Sequence, residues 1–179
     1  YIKEQGCYVI VTDHHELPEE LPDCICINPK FKDDYPYDNL CGAGVAYKLS
    51  RALIGEKADA LLDFCALSTV ADSVPLLGEN RDIVAAGLEL IKSRPRPAFS
   101  ALLNKAQEVT AQTLAFTLAP RVNAAGRMGD ANAALRLFTS EDEEETRVLA
   151  ELLNNYNSER QRLCDELFER ARAQIAAEG

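Results

Sequence analysis

The pattern of apolar and polar positions changes character near residue 40. Before it lie two short β-prone runs, residues 7–12 (CYVIVT) and 24–28 (CICIN). Runs unbroken by charged residues fit interior strands of a parallel sheet, covered on both faces. Residues 1–5 read as the last turn of a helix, with Gly6 as its terminator. An interior parallel strand needs a neighbour on each side, and only these two runs qualify. The expectation is therefore a piece of a longer protein whose other strands precede it.

After residue 40 the apolar period becomes helical. Helices are predicted over 42–53, 59–71, 81–93, 98–106, 111–118 (Thr110 as N-cap), 131–138 and 141–177. The second is nearly all apolar, so it is a buried helix. Pro95-Arg96-Pro97 is a break. The last helix has a marked start, with Ser140 as cap and Glu141, Asp142 and Glu143 near the positive helix end. At 1.5 Å per residue it would run roughly 55 Å, a length suited to joining two bodies.

Composition bounds the class. The chain has 179 residues, 47% hydrophobic and 27% charged, enough for one ordinary domain's core. No run of about 18 apolar residues is available for a membrane span, and residues 1–6 lack the features of a secretory leader. The net charge of −10 argues against a nucleic-acid binder when taken alone. Its distribution alters that: residues 1–80 carry −8, residues 81–136 carry +4 and residues 137–179 carry −6. Binding follows the local field more than the total. The six cysteines, at 7, 24, 26, 41, 65 and 164, lack zinc-site spacing. All but Cys164 have apolar or small neighbours, so buried free thiols in a reducing cytoplasm are expected.

Four segments carry chemistry. Asp13-His14-His15 ends the first strand, and sites in open α/β sheets form at carboxyl ends of strands. Imidazoles suit Mn²⁺, Zn²⁺ or Fe²⁺, and an adjacent carboxylate orients an imidazole from behind; a structural turn is the alternative. Asp72 closes the most apolar helix, where a carboxylate must be solvated, capped or metal-bound; it reads as a ligand or as a turn-former before Pro75. Gly42 and Gly44 open the helix predicted over 42–53, either to approach phosphate or to permit tight packing beside the site. Arg121, Asn123 and Arg127 stand among small residues in a segment, 119–130, expected to be a loop between helices. They read as phosphate contacts or as a loop held by Arg–carboxylate pairs.

Taken in order, TDHH at 12–15, GAGVA at 42–46, TVADSVPL at 69–76 and RVNAAGRM at 121–128 resemble the DHH phosphoesterase superfamily. Within it they are similar to the RecJ-type single-strand-specific DNA exonucleases, and the likeness spans essentially the whole chain. The segment 153–161 is similar to the start of the long helix that leads to a second, DHHA1-type domain in those enzymes. The resemblance implies an α/β fold: the carboxyl-terminal part of a DHH-type parallel-sheet domain over 1–138, mostly helical here, and a long connecting helix over 139–179. It implies a metal-dependent hydrolase degrading single-stranded DNA from 5′ to 3′ in repair and recombination, with Mn²⁺ or Mg²⁺ as cofactor and other repair proteins as possible partners. His14 and Asp72 map to metal ligands, Asp13 to support of His14, and His15 to the substrate phosphate. Arg121, Arg127 and Asn123 map to DNA contacts. The family's upstream Asp-x-Asp-Gly-like motif is not in the chain, so half a site and no activity alone are expected.

Two rivals remain. A phosphodiesterase of the same superfamily would act on oligoribonucleotides or cyclic dinucleotides. A non-catalytic helical module would bind a partner through Leu149, Leu152, Leu153, Tyr156, Leu163, Leu167 and Phe168. An uncovered sheet edge or this stripe is also expected to favour association of the chain with itself.

Overall fold

The computed structural model describes residues 1–31, 35–103 and 108–178. The chain divides into two compact units, Tyr1–Ser93 with Val109–Leu114, and Arg94–Glu108 with Ala115–Gly179. This contact boundary falls near residue 93, whereas the sequence suggests a division of roles at 138.

In the first unit β1 (Ile10–Thr12) and β2 (Ile25–Ile27) pair in parallel, with Ile10 opposite Ile25 and Thr12 opposite Ile27. Among the described residues the sheet has these two strands. The expected pairing is present, but the expected burial on both faces is not: Ile10 and Ile25 are exposed. Helix α1 (Gly42–Ile54) packs against β1, and Ile27 at the end of β2 joins the core. Before β1, a single 3₁₀ turn, Lys3–Gln5, ends at Gly6, whose φ of +76° suits glycine.

Helices α1, α2 (Leu62–Ala71) and α3 (Gly78–Ser93) form most of the rest of this unit. The helix predicted over 59–71 is split, with Gly55–Leu61 wound as a 3₁₀ segment. Helix α3 begins three residues earlier than predicted. The core joins Leu40, Val45, Tyr47, Ala58, Cys65 and Ile83, with Ile27 and Leu62 packed on its rim. Helices α2 and α3 touch at Gly87, where a Cβ would collide with the Leu62 carbonyl oxygen and the Ala66 methyl. The cysteines differ from expectation at Cys7, which is exposed like Cys164; only Cys41 and Cys65 are fully buried. Burial pushes the Cys65 thiol up to about 12. A short α5 (Ala111–Thr113) opens with a capping box, Thr110 accepting from the Thr113 N–H and Thr113 returning the bond.

The second unit is helical. It contains α4 (Pro97–Leu102), a π-helical turn (Leu114–Leu118, beginning in the first unit), α6 (Ala119–Met128), α7 (Ala131–Thr139) and α8 (Glu143–Glu178). The predicted helix over 98–106 is seen to Leu102; residues 104–106 lie outside the described residues. The loop expected over 119–130 is a helix. Pro120 sits in its first turn, where a missing N–H costs nothing. The small residues that suggested a pliable backbone, Ala119, Ala124 and Ala125, are buried helix formers. Helix α8 starts two residues later than predicted and is capped by Asp142, whose Oδ1 accepts from the Glu145 N–H at 2.8 Å. Its first half packs on α4, α6 and α7 through Leu149, Ala150 and Leu153; farther along, Leu167, Phe168 and Ile175 are exposed. Among the described residues no helix is long and apolar enough to cross a membrane.

Gly87→Ala should destabilise the chain by about 1–3 kcal/mol, because the methyl overpacks the α2–α3 contact. Urea unfolding of the two proteins gives the difference directly.

Candidate metal centre

The site is built where β1 ends. The Asp13 N–H donates to the Ile27 carbonyl oxygen at 3.0 Å, extending the ladder by one bond before the chain turns. Within the turn, Asp13 Oδ1 accepts from the His14 N–H at 2.8 Å. The same oxygen lies 2.7 Å from His15 Nδ1. The His15 bond, then the His14 N–H, hold the Asp13 carboxyl below its ordinary value of 3.8. Asp13 Oδ1 therefore holds the ring of His15 and the backbone N–H of His14 together. The two imidazoles lie 4.4 Å apart between centroids, tilted by 40°.

Helices α1 and α2 complete the site. His14 Nδ1 faces Asp72 Oδ2 at 3.7 Å, and Asp72 closes α2 as its C-cap. The opposite edge of the His14 ring lies against Gly42, where a Cβ would stand 3.4 Å from His14 Cδ2. Gly44 instead faces the Leu40 side chain. Cys41, which precedes α1, contacts Ser68 Oγ at 3.6 Å and Thr69 Oγ1 at 3.4 Å on the last turns of α2. One joint thus ties the glycine behind His14 to the helix that carries Asp72. Exposure is graded: the His14 side chain is 22% exposed, Asp72 42% and His15 76%.

Asn28 belongs to this site although its role was not visible in the sequence. Its side-chain amide donates to the His15 carbonyl oxygen at 3.0 Å, and its Oδ1 accepts from the Lys30 N–H at 3.0 Å. A polar residue closing an otherwise apolar strand was the available signal.

A metal ion fits the donor set. Asp13, His14 and His15 present ligand atoms within 4.8 Å of one another. The His14–Asp72 separation of 3.7 Å exceeds a hydrogen bond and is about 0.7 Å beyond the roughly 3 Å between adjacent ligands of a small octahedral cation. Imidazole with carboxylate suits Mn²⁺.

Residues 1–69 match the DHH family, N-terminal domain. The match takes in Asp13, His14 and His15. The chain is 42% identical to the single-stranded-DNA-specific exonuclease RecJ of Bacillus subtilis (strain 168), over 99% of this chain and 23% of that protein. Among solved structures, exonuclease RecJ bound to manganese matches 97% of this chain and 46% of its own, with a TM-score of 0.88 and 33% identity. RecJ of Thermus thermophilus in complex with Mn²⁺ matches 93% of this chain and 26% of its own, with a TM-score of 0.86 and 34% identity. The chain therefore spans about a quarter of the curated relative's length and up to about half of the solved chains.

The remaining candidates lie on α6, in the second unit. Asn123 and Arg127, four residues apart, share one exposed helix face. Arg127 makes no ion pair with the described residues. Arg121 is half-buried and engaged: Nε donates to Asn154 Oδ1 at 2.5 Å and Nη1 to the Thr117 carbonyl oxygen. The Arg–carboxylate pairs weighed for this segment are replaced by an amide and a carbonyl. Nearby, Gly129 leaves room for Tyr156 of α8; a Cβ there would stand 2.5 Å from Tyr156 Cζ.

The Asp13–His15 bond sets a pH limit. A carboxyl held below its ordinary value stabilises the fold above the unfolded value, and that contribution fades as pH falls through the folded one. Carboxyl-carbon NMR should show Asp13 titrating below 3.8, with the His15 contact intact above that range. Titration at or above 3.8 would mean the bond is absent.

Proposed function

We propose that the chain forms part of the catalytic region of a metal-dependent exonuclease that degrades single-stranded DNA from the 5′ end. The observation that carries the reading is the convergence of His14 and Asp72, from two separate elements, at 3.7 Å beside the Asp13–His15 pair. The substrate follows from its relatives, which are single-stranded-DNA-specific exonucleases.

In this reading His14 and Asp72 hold Mn²⁺ or Mg²⁺. Bound there, the ion would acidify a water and offset phosphate charge. Asp13 fixes the His15 ring through Nδ1, which leaves Nε2 for a phosphate oxygen. That nitrogen donates only when the ring is protonated. Gly42 keeps the His14 ring in place from behind. Asn123 and Arg127 hold the DNA backbone through their exposed face, and Arg121 mainly anchors α6 to α8. Such phosphate contacts position a strand without reading its sequence.

Two-ion cleavage needs more anionic donors than His14 and Asp72. The activity is therefore assigned to a longer protein, in which further ligands join these two. Free thiols at all six cysteines fit a reducing cytoplasm, where repair and recombination intermediates and their partner proteins reside.

The test pairs the chain with its longer parent. With Mn²⁺, the parent should shorten long single-stranded DNA from the 5′ end, and the isolated chain should not. Preference of the parent for dinucleotides would favour a small-substrate phosphodiesterase instead. Arg127→Ala in the parent should weaken DNA binding across all sequences and lower the salt slope by about 1. An unchanged slope removes Arg127 from the DNA contacts.

A further inference from the structure

Asn80, in the first turn of α3, is 0% exposed and touches neither His14 nor Asp72 directly. Both protons of its side-chain amide are used. One is donated to the Asn39 carbonyl oxygen at 2.7 Å and one to the Pro75 carbonyl oxygen at 3.0 Å. These two acceptors fix the amide's orientation, since a flip would face oxygen to oxygen. They leave Asn80 Oδ1 buried without a hydrogen-bond partner among the described residues. A buried orphan oxygen costs stability, so packing alone does not account for an amide here.

The two acceptors head toward the two candidate ligands. Asn39 lies three residues before Gly42, whose backbone backs the His14 ring. Pro75 lies three residues after Asp72. Between them Ser73 adopts a φ of +59°, a left-handed conformation that a non-glycine residue keeps only where its surroundings hold it. Tyr37 reinforces the same clasp, its hydroxyl donating to the Leu77 carbonyl oxygen at 2.9 Å. Its ring lies over Gly78, at φ +48°, where a Cβ would stand 3.0 Å from Tyr37 Cε2.

We propose that Asn80 is a positioning residue: it bridges the segment leading into Gly42 and the segment leaving Asp72, and so sets the spacing between His14 and Asp72. The inference rests on the metal-site reading of those two residues. Asn80→Ser removes the bridge, and Tyr37→Phe removes the hydroxyl's bonds to the Leu77 and Pro75 carbonyl oxygens while leaving the Asn80 amide in place. The chain's two histidines make the readout simple, because ring-labelled protein gives two signals.

In the metal-free chain, Asn80→Ser should move the His14 ring signal more than the His15 signal, while the melting transition stays cooperative. Its Mn²⁺ affinity, followed by electron paramagnetic resonance, should fall about tenfold, as when a ligand's supporting partner is lost. Tyr37→Phe should shift His14 in the same direction by less. A purely structural role would lower the melting temperature with no selective change at His14. A His14 signal that stays in place in folded Asn80→Ser overturns the proposal. If that variant does not fold, an unmoved His14 in Tyr37→Phe does so. If the unaltered chain binds no Mn²⁺, the metal reading fails by itself, and the metal-free His14 signals decide whether the bridge exists.

Discussion

The close approach of the α1 N-terminus to the His14 ring is the constraint on which the site depends. A histidine at a strand end is free to swing unless something stands behind it. Gly42 does so without a side chain of its own, and Cys41 fastens that point to the last turns of α2. Asp72, at the end of the same helix, then meets the ring from the other edge. The packing of α1, α2 and α3 around Cys65 and Ile83 matters here because it keeps this joint in register. The contact at Gly87 closes that packing so tightly that no side chain fits.

Much of this was legible in the residues. Two unbroken apolar runs pointed to a parallel pair, since only β-prone segments of that kind suit a sheet interior. Asp72 stood out as a charge ending an apolar helix, and the adjacent histidines as the pair it would meet. Other features depended on three-dimensional neighbours that no local pattern encodes. Asp13 meets His15 because its carboxylate reaches forward over the turn to the residue two positions on, which spacing alone does not decide. Asn28 donates one amide bond to the His15 carbonyl, and Asn80 donates two, to the carbonyls of Asn39 and Pro75. The exposure of Ile10 and Ile25 reflects what lies beside the strands, not their composition.

The second unit shows how small residues mislead. Alanines between arginines read equally well as a pliable loop and as a helix, and burial against α7 and α8 decides for the helix. That outcome separates two arginines that look equivalent in sequence. Arg121 is spent on Asn154 and Thr117, whereas Arg127 stands on the open face with Asn123. The basic excess of residues 81–136 is thus only partly available to a ligand. Along α8, Arg147 and Arg162 pair with glutamates a turn before and after them. Such exposed pairs stabilise a helix weakly and leave its fate to packing.

A cation shared by His14 and Asp72 is the central claim. Anomalous diffraction from a crystal of the chain soaked in Mn²⁺, collected at the manganese edge, tests it most directly. The expected result is a peak within bonding distance of both His14 and Asp72, lost in Asp72→Ala. A peak bonded to neither residue, or an intact His14–Asp72 contact with no peak at saturating Mn²⁺, would contradict it.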